Sequence, residues 1–299
     1  MSRVHDALRR AERAGYPPEP EPEPVAAAAA TTVAATEEPQ AEEHEPANGT
    51  VAVAKATRTL RGTLLDEVRV LPYEPAPESH LLDIDNSLET PAEEFRTLRT
   101  RLNHLQTLQP LHTVVVTSPS PAEGKTLTAV NLALAEAQLA ENSVLLGDFD
   151  LRRPIIHNLF QIERAPGLSD YLLGQCTFQE ALRRIDGINL YLLPAGSHVK
   201  NPLEILNMRT AKALFEDLPR HFNWAIFDTP PLLFSADANL LATLADGTIL
   251  VVKIGSTTFD NVTRAMQSLC ENNVLGIVAN GARASELYSK YTYYYSRTE

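Results

Sequence analysis

The residues best suited to chemistry begin with Gly124-Lys125-Thr126. They follow the β-branched run Val114-Val115-Val116 through a Ser/Pro-rich loop and open an apolar, helical stretch. A strand, a loop and then Gly-Lys-Thr at a helix start is the arrangement that cradles an anionic phosphate on backbone amides and the helix N-terminus. In this reading Ser120, Pro121, Ala122, Glu123, Gly124, Lys125, Thr126 and Leu127 surround the phosphates. Lys125 would reach the outer phosphates, and the Thr126 hydroxyl would ligate Mg²⁺. Pro119 stands where the loop's first glycine is expected.

Carboxylates are expected nearby. Val144-Leu-Leu-Gly147-Asp148-Phe-Asp150-Leu-Arg152 ends a second apolar run in two aspartates, which strand periodicity turns to one side. Trp224-Ala-Ile-Phe-Asp228-Thr-Pro-Pro ends a third in another. Carboxylates at the C-terminal ends of parallel strands face the crevice where such sheets bind ligands, and buried pairs of them call for a cation. The three segments together imply a Mg-ATP or Mg-GTP site, with Thr126 and Asp228 holding the metal.

The elements that position these residues follow from apolar spacing. Thr90-Pro91-Ala92-Glu93 reads as a helix start, and Phe95, Leu98, Leu102 and Leu105 continue it to about residue 107. Strands are predicted at 113–117, 144–148, 190–193, 224–228, 248–252 and 276–280, and helices near 125–140, 177–184, 210–218, 236–244 and 259–272. Alternating β and α with doubly apolar strands implies an α/β P-loop fold, a mostly parallel sheet with helices on both faces.

The 299 residues carry a net charge of −12, and eight of the acidic residues lie between Tyr16 and Pro46 without a single Lys or Arg. That balance excludes a nucleic-acid partner. The same stretch is rich in Pro and Ala, so residues 16–79 are expected to form a disordered linker. It would follow a short helix within residues 1–15, with Val4, Ala7, Leu8 and Ala11 on one face. Cys176 and Cys270 form no ligand or disulfide pattern, and no apolar run is long enough to cross a bilayer. The expectation is a soluble cytoplasmic chain.

These motifs resemble the bacterial tyrosine kinases, autokinases tied to capsule and exopolysaccharide synthesis. The resemblance rests on Gly124-Lys125-Thr126, on Asp148-x-Asp150-x-Arg152, on Asp228-Thr229-Pro230-Pro231, and on the tail tyrosines Tyr288, Tyr291, Tyr293, Tyr294 and Tyr295. Glu93, Arg96 and Arg99 match the family's oligomerisation motif, although their helical spacing also suits ion pairing within the helix. The resemblance covers residues 80–299, with a kinase domain at 80–285 and a phosphoacceptor tail at 286–299. Gly147 departs from the bulky residue usual there, which is expected to loosen the strand end.

The resemblance implies ATP-dependent phosphorylation of the tail tyrosines in trans around a homo-oligomeric ring. Asp148 would be the base and Asp150 a water-mediated Mg²⁺ contact; the residues alone leave those two roles open. It also makes Asn280 a reader of adenine and Arg152 a support for phosphate or the aspartates. A membrane-embedded polysaccharide chain-length regulator is the implied activator, which would hold the chain at the inner membrane, and a phosphotyrosine phosphatase the implied counterpart. The rival readings are a partitioning or septum-site type ATPase, against which Ser120 stands in place of a signature lysine, and a non-catalytic ATP-binding scaffold.

Overall fold

The computed structural model describes residues 65, 67–76, 79–82, 92–269 and 274–282. The short N-terminal helix, most of the acidic linker, Thr90 and Pro91, Cys270 and the tail tyrosines lie outside the described residues.

Among the described residues eight strands form one sheet in the order β1-β4-β5-β3-β6-β2-β7-β8. The strands are β1 Arg69–Leu71, β2 Thr113–Thr117, β3 Val144–Asp148, β4 Arg183–Ile185, β5 Leu190–Leu193, β6 Trp224–Asp228, β7 Gly247–Lys253 and β8 Val274–Asn280. All neighbouring pairs are parallel except β4 and β5. Strands β2, β3, β5 and β6 are buried at every position. Burial on both faces is what their unbroken apolar runs require.

The helices are α1 Ala92–Leu108, α2 Lys125–Ala137, α3 Ile156–Leu159, α4 Leu168–Leu172, α5 Phe178–Ala181, α6 Pro202–Leu206, α7 Arg209–His221, α8 Ala236–Leu244 and α9 Phe259–Ser268. Alternation along the strands divides the core in two. Val114, Val116, Val144, Leu146, Trp224 and Ile226 pack with Leu102 of α1 and the apolar face of α2. Val115, Leu145, Ala225 and Phe227 face the other way, toward Leu206 of α6 and Leu214, Phe215 and Leu218 of α7. Asp148 and Asp228 share the parity of Leu146 and Ile226, so both belong to the face that α2 covers.

The structure corrects several expectations. The linker predicted to run to residue 79 gives way to order earlier, because Val68 is buried and Arg69–Leu71 pair with Arg183–Ile185. The helix predicted over 177–184 stops at Ala181. The Arg183 guanidinium turns back to donate to the carbonyls of Glu180 and Leu182, and the chain enters β4. Gly147 does not loosen β3, whose register continues to Asp148 opposite Asp228. A side chain at 147 would meet the ring of Phe149 at 2.7 Å and that of Phe227 at 3.0 Å, so glycine there admits an aromatic contact between those two rings with centroids 4.6 Å apart.

Candidate active site

The site forms where β2, β3 and β6 end together. Gly124 adopts φ 94°, a left-handed conformation that glycine takes without steric cost, and turns the loop into α2. No side chain caps that helix, which leaves its N-terminal amides and dipole directed at the cleft. The loop is braced from behind. The buried Glu123 carboxylate accepts from the Ser120 amide at 2.8 Å and from the Thr257 hydroxyl at 2.6 Å. Pro119 is buried, and its carbonyl accepts from the Leu233 amide.

Within the cleft Lys125 Nζ lies 3.1 Å from Asp150 Oδ2 and 3.3 Å from Asp228 Oδ1. Thr126 Oγ1 donates to Asp228 Oδ2 at 2.7 Å. Burial works against the Lys125 charge, but the Asp228 and Asp150 carboxylates more than offset it and its pKa rises. Asp228 is pushed up to about 6, chiefly by burial, while Lys125 and the Thr126 hydroxyl hold it lower than burial alone would. Asp148 moves well above the usual carboxylate range through burial and then the charge of Asp228 beside it. Its Oδ2 accepts from the amides of Ile155 and Ile156, both at 3.1 Å, and its Oδ1 is buried with no hydrogen-bond partner.

Three carboxylates therefore face one ammonium, an excess of negative charge that a divalent cation would neutralise. Among the described residues no three His, Cys, Asp or Glu side chains form a metal cage of their own. Mg²⁺ prefers one or two carboxylates, a hydroxyl, waters and phosphate oxygens to an all-protein shell, and the oxygens of Thr126, Asp228 and Asp150 could contribute to such a set.

Other expected residues sit differently. Arg152 makes a two-point contact with Asp237, Nε to Oδ2 at 2.7 Å and Nη2 to Oδ1 at 3.1 Å, so its carboxylate partner is Asp237 of α8 rather than Asp148 or Asp150. Asn280 Nδ2 donates to the Glu123 carbonyl at 3.0 Å, which sets this side chain against the loop at Gly124. Glu93 and Arg96 pair within α1 at 3.0 Å, and Arg99 donates to the Ala135 carbonyl of α2 at 2.7 Å. The cleft of about 550 Å³ is also lined by Arg153, Ile155, Pro231 and Phe234. Sequence reading missed Arg153, Ile155, Phe234 and Asp237, whereas Pro231 stood in the Asp228-Thr229-Pro230-Pro231 motif. Ser235 followed by Asp237 was a legible helix start, and Ser235 Oγ does accept from the Asp237 amide. Nothing in spacing marks Ile155 or Phe234.

No protein-family model matches the chain. It is 36% identical over 205 residues to the Bacillus subtilis (strain 168) tyrosine-protein kinase YwqD, spanning 68% of this chain and 86% of that relative. The Escherichia coli (strain K12) tyrosine-protein kinase etk is 33% identical over 212 residues, 70% of this chain but 29% of the relative. The chain therefore spans less than a third of that longer protein. Among solved structures, the kinase domain of Escherichia coli tyrosine kinase ETK superposes with a TM-score of 0.64 at 28% identity, covering 73% of this chain and 93% of that one. The chimerical protein CapA2B2 superposes with a TM-score of 0.64 at 26% identity, covering 75% and 99%.

Proposed function

The chain belongs to the bacterial tyrosine-protein kinases, and from that premise we propose that it is an ATP-dependent autokinase whose acceptors are its own tail tyrosines, Tyr288, Tyr291, Tyr293, Tyr294 and Tyr295, modified in trans within a homo-oligomer. The observation that carries this reading is the contact of Lys125 with both Asp150 and Asp228 at the mouth of α2, beside the unpartnered oxygen of Asp148.

The nucleotide's phosphates rest on the α2 amides, with Lys125 exchanging its carboxylate partners for phosphate oxygens. Thr126, Asp228 and Asp150 would hold Mg²⁺, which when bound draws charge from the β- and γ-phosphate oxygens. Asp148 Oδ1 accepts the proton from the tyrosine hydroxyl as that oxygen bonds to the γ-phosphorus. The bond from the γ-phosphorus to the bridging oxygen breaks, and ADP leaves with the electron pair. A buried carboxylate of raised pKa is a stronger base than a solvated one, and Asp148 Oδ1 has no hydrogen-bond partner, which suits it to this task. Because transfer is mostly positioning and charge stabilisation, the fixed amides and cations supply most of the acceleration.

By the same premise the kinase serves exopolysaccharide or capsule synthesis, with a membrane-embedded chain-length regulator as activator and a phosphotyrosine phosphatase as counterpart. Among the described residues no helix is long and apolar enough to cross a membrane, so an association with the inner membrane would run through that regulator. The test of trans transfer is a mixture of the Lys125→Met chain, distinguishable by isotope, with the wild-type chain and Mg-ATP. Phosphotyrosine on the Lys125→Met tail supports the reading, and phosphate confined to the wild-type copies opposes it.

A further inference from the structure

The cleft has two chemically different ends. One is made by Gly124, Lys125 and Thr126 and suits phosphates. The other carries two exposed apolar side chains, Ile155 at 42% and Phe234 at 69%, with Pro231, Arg152, Arg153 and Ser235 also in the lining. Large apolar side chains left in water at the mouth of a charged cleft mark a surface built to be covered.

Two relationships say by what. The amides of Ile155 and Ile156 are the groups that hold Asp148 Oδ2, so the apolar residue and the proposed base share one stretch of backbone. Asp150 lines the same cleft as Ile155, so a planar ring lying against Ile155 would present a substituent at its far edge to the carboxylate side of the cleft, with Asp148 buried behind it. The sheet order then separates acceptor from purine. Ile155 and Phe234 follow β3 and β6, on one side of β2, whereas β7 and β8, with Asn280, lie on the other. The carboxylates are on the side of Ile155 and Phe234, where an acceptor hydroxyl has to arrive.

The described chain ends at residue 282, and the five tail tyrosines follow within the next 13 residues. We infer that Ile155 and Phe234 are the two jaws of the acceptor subsite, closing on the ring of one tyrosine from segment 288–295 and turning its hydroxyl toward Asp148. This rests on the autokinase reading above and adds the residues that select an aromatic acceptor. Stacking on Phe234 and packing on Ile155 favour a flat ring over Ser or Thr, whose short side chains would not span from the jaws to the carboxylates. Two exposed apolar residues thereby confer tyrosine specificity on a phosphate site that is otherwise indifferent to the acceptor.

The test uses full-length chains. The enzyme carries Tyr→Ser at 288, 291, 293, 294 and 295, so that it does not compete as acceptor, and the Lys125→Met chain is the added substrate. Initial rates give KM for the acceptor and kcat with Phe234, with Phe234→Ala, with Phe234→Tyr and with Ile155→Ala. Burying a Phe or Ile side chain corresponds to at least about a tenfold effect, so KM for the acceptor is expected to rise about tenfold in Phe234→Ala and in Ile155→Ala, with kcat within about twofold. Phe234→Tyr should restore KM. Because Phe234 is exposed, its substitution leaves the unfolding midpoint in place as a check on folding.

An unchanged acceptor KM overturns the inference while leaving the kinase standing. So does a loss of nucleotide affinity in Phe234→Ala with acceptor KM intact, which would assign the jaws to the purine. If the enzyme with Phe234 intact transfers no phosphate to the Lys125→Met chain even with the proposed regulator's cytoplasmic segment added, the autokinase reading fails, and this inference with it.

Discussion

Thr126 Oγ1 donates to Asp228 Oδ2 at 2.7 Å, joining the first turn of α2 to the end of β6 across 102 residues of sequence. The contact fixes the hydroxyl and carboxylate that a Mg²⁺ ion would share before nucleotide arrives, so the cost of orienting them is met on folding. Both residues are buried, and β6, which carries Asp228, pairs with both β2 and β3.

Thr126→Ala should therefore weaken metal-dependent binding more than binding of free nucleotide. It removes one oxygen from the set and releases Asp228 to carry a less constrained charge. Phosphotransfer is expected to fall about 100-fold, in the range for losing one preorganised contact to the transition state. Titrating Mg²⁺ at fixed ATP measures it, and an unchanged Mg²⁺ requirement would oppose the assignment.

The two aspartates at the end of β3, Asp148 and Asp150, should separate by pH. A base must be deprotonated, and the pKa of Asp148 is raised by burial and by Asp228. The rate should thus climb with pH through the range where Asp148 ionises. Asp148→Asn should lose most activity together with that rise. Asp150→Asn should keep the rise and instead need more Mg²⁺. The pH profile of kcat at saturating ATP distinguishes the two.

Gly124 is constrained twice, by φ 94° and by the amide of Asn280 standing where a Cβ would go. Gly124→Ala should cost nucleotide affinity about tenfold or more through strain and displacement of the loop. Adding Asn280→Ala should return part of it, because only the clash is relieved. Calorimetric titration of the single and double variants tests this, and independent, additive losses would contradict it.

Glu136 offers a test of stability apart from the active site. It is buried on α2, accepts from Asn103 and Asn142, and burial raises its pKa from 4.5 to about 7. The folded state then holds the proton more tightly than the unfolded one. Its contribution is fully present below about pH 4.5 and is lost as pH rises through about 7. The shift corresponds to a loss on the order of 3 kcal/mol. Urea unfolding at pH 5 and pH 9 should show the wild-type chain losing that amount relative to Glu136→Gln, and parallel behaviour would contradict it.

Much of this architecture was legible in advance. The four central strands match their predicted spans because each is an apolar run buried on both faces. Strands β1 and β4 were not legible. Each is three residues long and carries Arg69 or Arg183 and Arg184, so neither has an apolar signature, and their pairing with each other exists only in three dimensions. Helices α3, α4 and α6 have four or five residues, too few for periodicity to register. At the site, Lys125, Thr126 and the aspartates were legible as motifs at strand ends. The Arg152–Asp237 pair, the Glu123 brace and the placement of Ile155 and Phe234 depend on loops meeting from distant parts of the chain. No local spacing encodes such meetings.

The central claim is that Lys125 and its carboxylates transfer phosphate to the chain's own tail. Intact mass and phosphotyrosine mapping after incubation with Mg-ATP, on the wild-type chain and on Lys125→Met incubated separately, test it directly. The account predicts phosphate on tyrosines between 288 and 295 in the wild type and none in Lys125→Met. Tail phosphate that persists in Lys125→Met, or a wild-type chain that binds ATP yet gains no phosphate even with the cytoplasmic segment of the proposed membrane regulator present, would contradict it.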